Sequence, residues 1–335
     1  MNRKITKKRR NRNKILGVLL FVVTLLVLIS FYIFYQYYQG LSNTRKTETI
    51  TNKEEVEFNG AEVENKLGKV NVLLLGVDSR GEEKSRTDTI MIAQYDPKEN
   101  RAKLVSLMRD IYVDIPNHNS YKLNTAYFLG GPELLRKTIK ENFDVDIHYY
   151  ALIDFKGFEE VIDTLAPNGI EINVEKQMSE YIDVVLEPGL QKLNGMELLQ
   201  YARFRHDAEG DFGRVQRQQK VISELKDQLF SITGVTKIPK LVGTAQPYVE
   251  TNLTRKEITG LLADVLLHSP ETIETLRIPI DHSFVDATYD HAGAVLEIDM
   301  EKNAEALDEF LNKPVDIVAE DGMIDEASNK ESTTE

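Results

Sequence analysis

Residues 69–314 read as one α/β domain, a central mixed sheet between two layers of helices, preceded by a single apolar N-terminal helix. Two observations predict this. Short apolar runs of strand length alternate with longer amphipathic segments through the region, with no internal repeat. Ahead of them, residues 15–35 (ILGVLLFVVTLLVLISFYIFY) run 21 positions without a charge, long enough to cross a bilayer.

Taken in order, residues 1–14 hold eight Lys or Arg and no acid, so this leader is expected to stay in the cytoplasm. The 15–35 run is read as a signal anchor rather than a cleaved signal peptide, because it is long and residues 31–38 offer no A-x-A-like site. Residues 36–68, rich in Thr, Glu, Asn and Lys, are read as an extracytoplasmic stalk. The formal charge is −13, and more negative still without the leader, which argues against general nucleic-acid binding. There is no cysteine, so no disulfide framework exists. Residues 315–335 are acidic and Ser/Thr-rich, a disordered tail by composition.

Within 69–314, strands are expected at 70–77, 89–95, 102–108, 149–153, 169–174 and 272–278. Helices are expected at 132–142, with Pro at its first turn, and at 155–165, 194–201, 214–233, 255–268 after the cap Thr254, and 302–312. Gly130-Gly131 reads as a turn into a helix, not as a phosphate loop.

The chemistry concentrates at YARFRH (201–206) and DFGRVQRQQ (211–219). Arg203 and Arg205 are two apart, so an extended backbone would aim both the same way. Arg214 starts an amphipathic helix, Asp211 is placed to cap it, and Gln218 falls on its apolar stripe where packing alone asks for Leu. Fixed guanidinium groups at a helix start suit a phosphate. Taken singly, each of these residues reads as a solvated charge on a capped helix; together, with a glutamine on the buried stripe, they read as an anion site.

Three strand ends add to the cluster. Asp78 follows the first strand, Arg86 and Asp88 open the second on one face, and Arg109-Asp110 closes the third. Carboxylates beside phosphate-binding arginines are how Mg²⁺ is usually held, while surface ion pairs are the competing reading. No H-E-x-x-H, G-x-S-x-G, Walker loop or G-x-G-x-x-G occurs.

The ordered motifs LLLGVDSR (73–80), RTDTIMI (86–92), SLMRDIYVDIP (106–116), KLNTAYFLGG (122–131), IDFKGFEEVID (153–163) and the segment 186–219 resemble the LytR-CpsA-Psr family. The likeness covers residues 69–235. It implies a three-layer α-β-α domain with a lipid tunnel, and an enzyme that moves an anionic glycopolymer, of teichoic acid or capsule type, from a polyprenyl diphosphate carrier to peptidoglycan. By that resemblance Asp78 and Asp88 match the magnesium ligands, and Arg86, Arg109, Arg203, Arg205 and Arg214, with Gln218, match the diphosphate site. Asp211 matches a further acidic position. Two departures, Met108 in place of the usual Pro and Ala166-Pro-Asn-Gly169 in place of a Gly-rich turn, concern loop shape.

The implied reaction is attack by a peptidoglycan sugar hydroxyl on the phosphorus nearer the glycan, with Asp211 or Asp110 as candidate bases. A polyprenyl diphosphate phosphatase, a membrane-anchored transcription regulator and a non-catalytic wall-binding module remain alternatives. The lipid chain is expected between the inner faces of 155–165 and 215–232. The charge asymmetry around the apolar run places the domain outside, so protease added to intact protoplasts should remove it; full protection would overturn the localisation.

Overall fold

Elements alternate along the chain much as their apolar spacing requires. The structure, a computed structural model, describes residues 2–44, 57–63, 68–78 and 87–312. The chain enters through helix α1 (Asn2–Thr44) and strands β1 (Val70–Val77), β2 (Thr87–Asp96), β3 (Arg101–Leu107), β4 (Tyr112–Val113) and β5 (Tyr121–Lys122). Helix α2 (Leu123–Phe143), β6 (Tyr149–Asp154) and α3 (Phe155–Leu165) follow, then the hairpin β7 (Ile170–Val174) and β8 (Gly189–Leu193). Next come α4 (Gly195–Arg203), α5 (Gly210–Phe230), α6 (Ile232–Ala245), β9 (Val249–Thr251) and α7 (Arg255–His268). The chain closes with β10 (Ile273–Ile278), β11 (Phe284–Tyr289), β12 (Gly293–Ile298) and α8 (Met300–Asn312).

Six strands form the central sheet in the order β10-β3-β2-β1-β6-β9. β1 and β6, and β3 and β10, pair in parallel, while β1–β2, β2–β3 and β6–β9 are antiparallel. The sheet is therefore mixed, as the sequence predicted. Period-two alternation then divides its residues between two faces. Leu73, Val77, Ile90, Ile92, Tyr150 and Leu152 pack into a core with Leu135, Ile139 and Phe143 of α2 and Leu307 and Leu311 of α8. The intervening residues Leu74, Gly76, Thr89, Met91, Ala151 and Ile153 face a cavity roofed by α3, α4 and α5. A second core joins α3, α4 and α5 to the β7–β8 hairpin through Ile162, Leu198, Tyr201, Val221, Ile170 and Ile172.

Boundaries differ from expectation where turn chemistry outweighed apolar period. The 132–142 helix is the second half of α2; Gly130 and Gly131, the latter at φ 62°, break the helical backbone just before Pro132. Only glycine takes that conformation without strain. The expected 214–233 helix starts earlier and stops at Phe230, where the Ser231 hydroxyl accepts from the Gly234 amide and caps α6. Helix α6 itself was missed, because its two glycines and Pro239 lower helix propensity.

Packing explains those glycines. α1 contains the one stretch among the described residues long and apolar enough to cross a membrane, Phe21–Ser42. The helix continues to Thr44, so the expected stalk does not begin at residue 36. Its last turns lie on α6 at backbone distance. A Cβ on Gly40 would sit 2.2 Å from the Lys240 carbonyl oxygen, and one on Gly243 would sit 2.2 Å from that of Tyr37. The Tyr37 hydroxyl also donates to Gln246 Oε1. Farther along, residues 57–63 are sewn to the domain. Phe58 packs tilted against Tyr150 with ring centroids 4.8 Å apart, and Ala61 donates to the Ile147 carbonyl at 2.9 Å. The rest of the expected stalk (45–56, 64–67) and the tail 315–335 lie outside the described residues.

Glu133, in the first turn after the α2 break, accepts from the Asn59 amide at 3.0 Å and from Arg136 at 2.8 and 2.9 Å. Burial alone would raise its pKa, but these bonds and the Arg136 charge lower it from 4.5 to about 2. A folded-state value below the unfolded one means stability that is present above about pH 4.5 and lost as pH falls toward about 2. Glu133→Gln should flatten this acid limb and remove on the order of 2 kcal/mol at neutral pH, as denaturant melts across that range would measure.

Candidate active site

The site begins with an irregularity between β1 and β2. Gly76 pairs with Thr89 and Val77 with Thr87, leaving Asp88 as an extra residue in a bulge. Bulges re-aim side chains, and this one turns Asp88 toward the cavity. The buried Thr87 hydroxyl fixes it, reaching the carbonyls of Gly76 at 2.9 Å and Thr89 at 2.7 Å. Simple strand spacing had put Arg86 and Asp88 on one face; Arg86 lies outside the described residues. Asp78 follows the end of β1, and Arg109-Asp110 follows the end of β3.

Two helices deliver the other arginines. α4 starts at a reciprocal cap in which the Asn194 side chain accepts from the Glu197 amide and Glu197 accepts from the Asn194 amide. It ends on Arg203; Phe204 then turns to an extended ψ of 131° and carries Arg205 out of the helix. The pair is thus a helix end and its exit rather than two residues of a strand, yet both line the cavity. The Arg203 guanidinium lies 4.6 Å from the Phe155 ring centroid and 3.7 Å from Asp78 Oδ2. Arg214 comes from the first turns of α5.

Asp211 differs from its expected role. Glu209 holds the N-cap position of α5, without a side-chain bond, and Asp211 stands in the first turn. Its carboxylate instead faces three guanidinium groups: Arg214 at 3.3 Å, Arg109 at 3.5 Å and Arg205 at 3.9 Å. Arg109 also pairs with Asp88 and, at 3.2 Å, with Asp110, which receives Lys122 at 2.9 Å. Burial pushes the Asp110 carboxyl up, but Lys122 and Arg109 hold it below its ordinary value, so it is ionised. Arg214 moves the other way. Burial, with the charges of Arg109 and Arg205, pushes its pKa down against the pull of Asp211 and Asp88. Its Nε is buried with no hydrogen-bond partner among the described residues. An incoming anion would relieve both conditions.

These groups stand where β1 ends, on a cavity of about 930 Å³. Beyond them the walls are apolar: Leu74 and Met91 from the sheet, Phe155 and Phe158 from α3, Leu199 from α4, Val221 and Ile222 from α5. Those are the two helix faces from which the sequence predicted a lipid channel. Asp88, Arg109, Arg203, Arg205, Arg214 and Gln218 all line it, whereas Asp110 and Asp211 stand behind the arginines. Gln218 is no packing defect: it donates to Thr89 Oγ1 at 3.2 Å and the Ala202 carbonyl at 3.4 Å, joining α5 to β2 and α4.

Comparison with known proteins fits this geometry. The sequence matches the LytR_cpsA_psr family over residues 31–307. The chain belongs to that family. It is 46% identical over 259 residues to the Staphylococcus aureus (strain COL) protein named regulatory protein MsrR, covering 77% of this chain and 78% of MsrR. It is 30% identical over 285 residues to the Bacillus cereus (strain AH820) polyisoprenyl-teichoic acid–peptidoglycan teichoic acid transferase TagU, covering 83% and 92%. A solved structure of TagT bound to LI-WTA superposes with a TM-score of 0.60 at 26% identity, covering 80% of this chain and all of that one. The mixed sheet with flanking helices is the fold of these family structures.

A magnesium site in this family member would rest on Asp78 and Asp88. No group of three or more His, Asp or Glu able to hold a metal occurs among the described residues. Two hard carboxylates next to the arginine cluster would nevertheless fit the ion, which usually takes one or two carboxylates and completes its shell with substrate oxygens and water.

Arg217 was not singled out from the sequence, for it looks like its neighbours. It is 2% exposed, donates to the Phe204 carbonyl at 2.7 Å and pairs with Asp207 at 3.2 Å. Burial would raise the Asp207 pKa, but Lys176 and Arg217 hold it down. Arg217 therefore braces the turn that presents Arg205. Arg217→Met should cost about 1–3 kcal/mol in chemical denaturation by leaving the Phe204 carbonyl without its donor, Asp207 keeping Lys176 at 3.2 Å, while Arg205→Lys, more than half exposed, should leave stability within about 0.5 kcal/mol.

Proposed function

We propose that this chain transfers an anionic glycopolymer from a polyprenyl diphosphate carrier to a sugar hydroxyl of peptidoglycan, forming a phosphodiester. The observation that carries the reading is the join of an apolar cavity to an end lined by Arg109, Arg203, Arg205 and Arg214. A lipid tail gains about 25 cal/mol per Å² on leaving water, and its diphosphate needs planar, multidentate donors. The names of the relatives point two ways, MsrR to regulation and TagU to transfer. An apolar cavity ending in arginines serves the second.

In this reading the arginines hold the diphosphate, and Arg214 Nε gains the partner it lacks. The acceptor oxygen forms a bond to the phosphorus nearer the glycan and gives up its proton to water or to the departing monophosphate oxygen. The bond from that phosphorus to the bridging oxygen breaks, and its electron pair leaves with polyprenyl monophosphate. Charge on the transferred and leaving groups grows against fixed guanidinium groups, the main requirement of phosphoryl transfer. Mg²⁺ on Asp78 and Asp88, once bound, would supply Lewis-acid neutralisation of phosphate charge. Asp211 and Asp110 are the candidate bases. Each is already engaged by arginine or lysine, which favours a role in holding the cations over one in taking a proton. The α1 helix would place the domain in the membrane that also holds the carrier, with the leader inside and the domain outside.

A transfer assay with a defined lipid-linked glycan and a peptidoglycan oligomer tests this. Wild type should yield glycan linked to peptidoglycan through phosphate and stop on chelation, and Asp88→Asn should match the chelated enzyme. Arg203→Lys/Arg205→Lys should lose about ten- to more than a hundredfold, because lysine keeps the charge but not the fork. Release of free phosphate in place of linked product would assign a phosphatase; no turnover of the carrier at all would leave the regulator.

A further inference from the structure

The loop between β7 and β8 carries an aromatic side chain that the phosphate chemistry does not use. Tyr181 is 88% exposed and lines the cavity beside Arg205. Its backbone is left-handed, φ 59°, a conformation that costs energy for any residue with a Cβ and is kept where the surroundings enforce it. Here they do. Met178 and Leu186 exchange two backbone hydrogen bonds of 2.9 Å and close the loop. Ile182 and Val184 point inward onto the second core. The buried Gln200 side chain then clamps Asp183 from both ends, accepting from its amide at 3.3 Å and donating to its Oδ2 at 3.0 Å. A loop so fastened is not mobile, and its exposed tyrosine is held out by construction.

One edge of that tyrosine is supported and polar groups flank it. Its ring lies 4.7 Å from the His206 ring, centroid to centroid, and His206 Nε2 is 2.7 Å from Glu180 Oε2. Glu180 and His206 line the cavity as well. A rigid aromatic face offers large contact area at little entropic cost, and a carboxylate and an imidazole beside it can bond hydroxyl groups. The ligand with an apolar C–H face and a hydroxyl rim is a pyranose.

Resting on the glycan-transfer reading, we infer that Tyr181 is the stacking platform for the sugar ring next to the reacting diphosphate, with Glu180 and His206 as its hydroxyl partners and Gln200 as the positioning residue behind it. The ring can belong to the first sugar of the donor or to the accepting sugar, and the test separates them.

The chain has no tryptophan, so Tyr181→Trp places a single tryptophan, excited apart from the tyrosines, at the platform. The full chain in detergent would be titrated with a glucosamine–muramic acid oligosaccharide, with a short prenyl diphosphate bearing one disaccharide, and with the same prenyl diphosphate lacking sugar. A shift with a sugar-bearing probe and none with the bare diphosphate is expected, and the responding probe names the source. Equal response to the bare diphosphate, or no response to any probe, would overturn the platform. In turnover, Tyr181→Ala should raise KM for the same partner by about three- to tenfold with kcat kept, and Tyr181→Phe should restore it. Unchanged KM for both partners refutes the inference while leaving transfer standing. Sugar-dependent fluorescence in a chain that transfers nothing refutes the transfer reading instead.

Discussion

Asp211 holds together a group of cations that would otherwise force one another apart. Arg109, Arg205 and Arg214 each approach its carboxylate within 4 Å. Two like charges about 4 Å apart repel by roughly 4 kcal/mol near a protein surface, so three guanidinium groups cannot be gathered without a central anion. A single carboxylate does not neutralise them. Asp88 and Asp110 take part of Arg109, and Asp78 part of Arg203, while Arg214 stays buried with one donor unmet. The cluster is assembled by acids: with Lys122 on Asp110, five cations stand against four aspartates, one positive charge in excess.

The rest of the fold serves that cluster by keeping its supports rigid. β1 and β2 supply the bulge, β3 delivers Arg109, and α4 and α5 bring arginines from the opposite layer. Gln218 and Gln219 cross between layers: Gln219 donates to Ser106 Oγ and the Leu276 carbonyl, each at 3.1 Å. Buried amides with satisfied partners fix α5 against the sheet in one register, whereas an all-apolar interface would leave it free to slide. Phe155 and Phe158 of α3 and Val221 and Ile222 of α5 line the apolar cavity beside them.

Much of this was legible from residue pattern. Strand 70–77 and helices 155–165 and 255–268 were read to the residue, since alternation, a cap and a clear apolar stripe coincide there. The site arginines were legible as a cluster because the short motifs 201–206 and 211–219 gather three of them with an aspartate and a glutamine at one helix start. What escaped depended on contacts distant in sequence. The Asp88 bulge exists only relative to the β1 register, and Asp211 becomes a hub only when β3 meets α5. Arg217 could not be told from its neighbours without knowing which side of α5 is buried, and α6 carries a helix breaker, Gly243, that its partner helix explains.

That partner is α1, and the reciprocal glycine contact between Gly40 and Gly243 has a mechanical meaning. Helices touching backbone to backbone transmit torque: neither can spin about its own axis without dragging the other. α6 in turn grips α3, through Lys237 on the Leu165 carbonyl at 2.8 Å and Thr164 against Thr244 at 3.4 Å, and α3 is a cavity wall. With α1 in a bilayer, the domain would have no swivel and no nod. Its compass heading would be set by the membrane, and its only free search would be lateral drift in the plane of that bilayer.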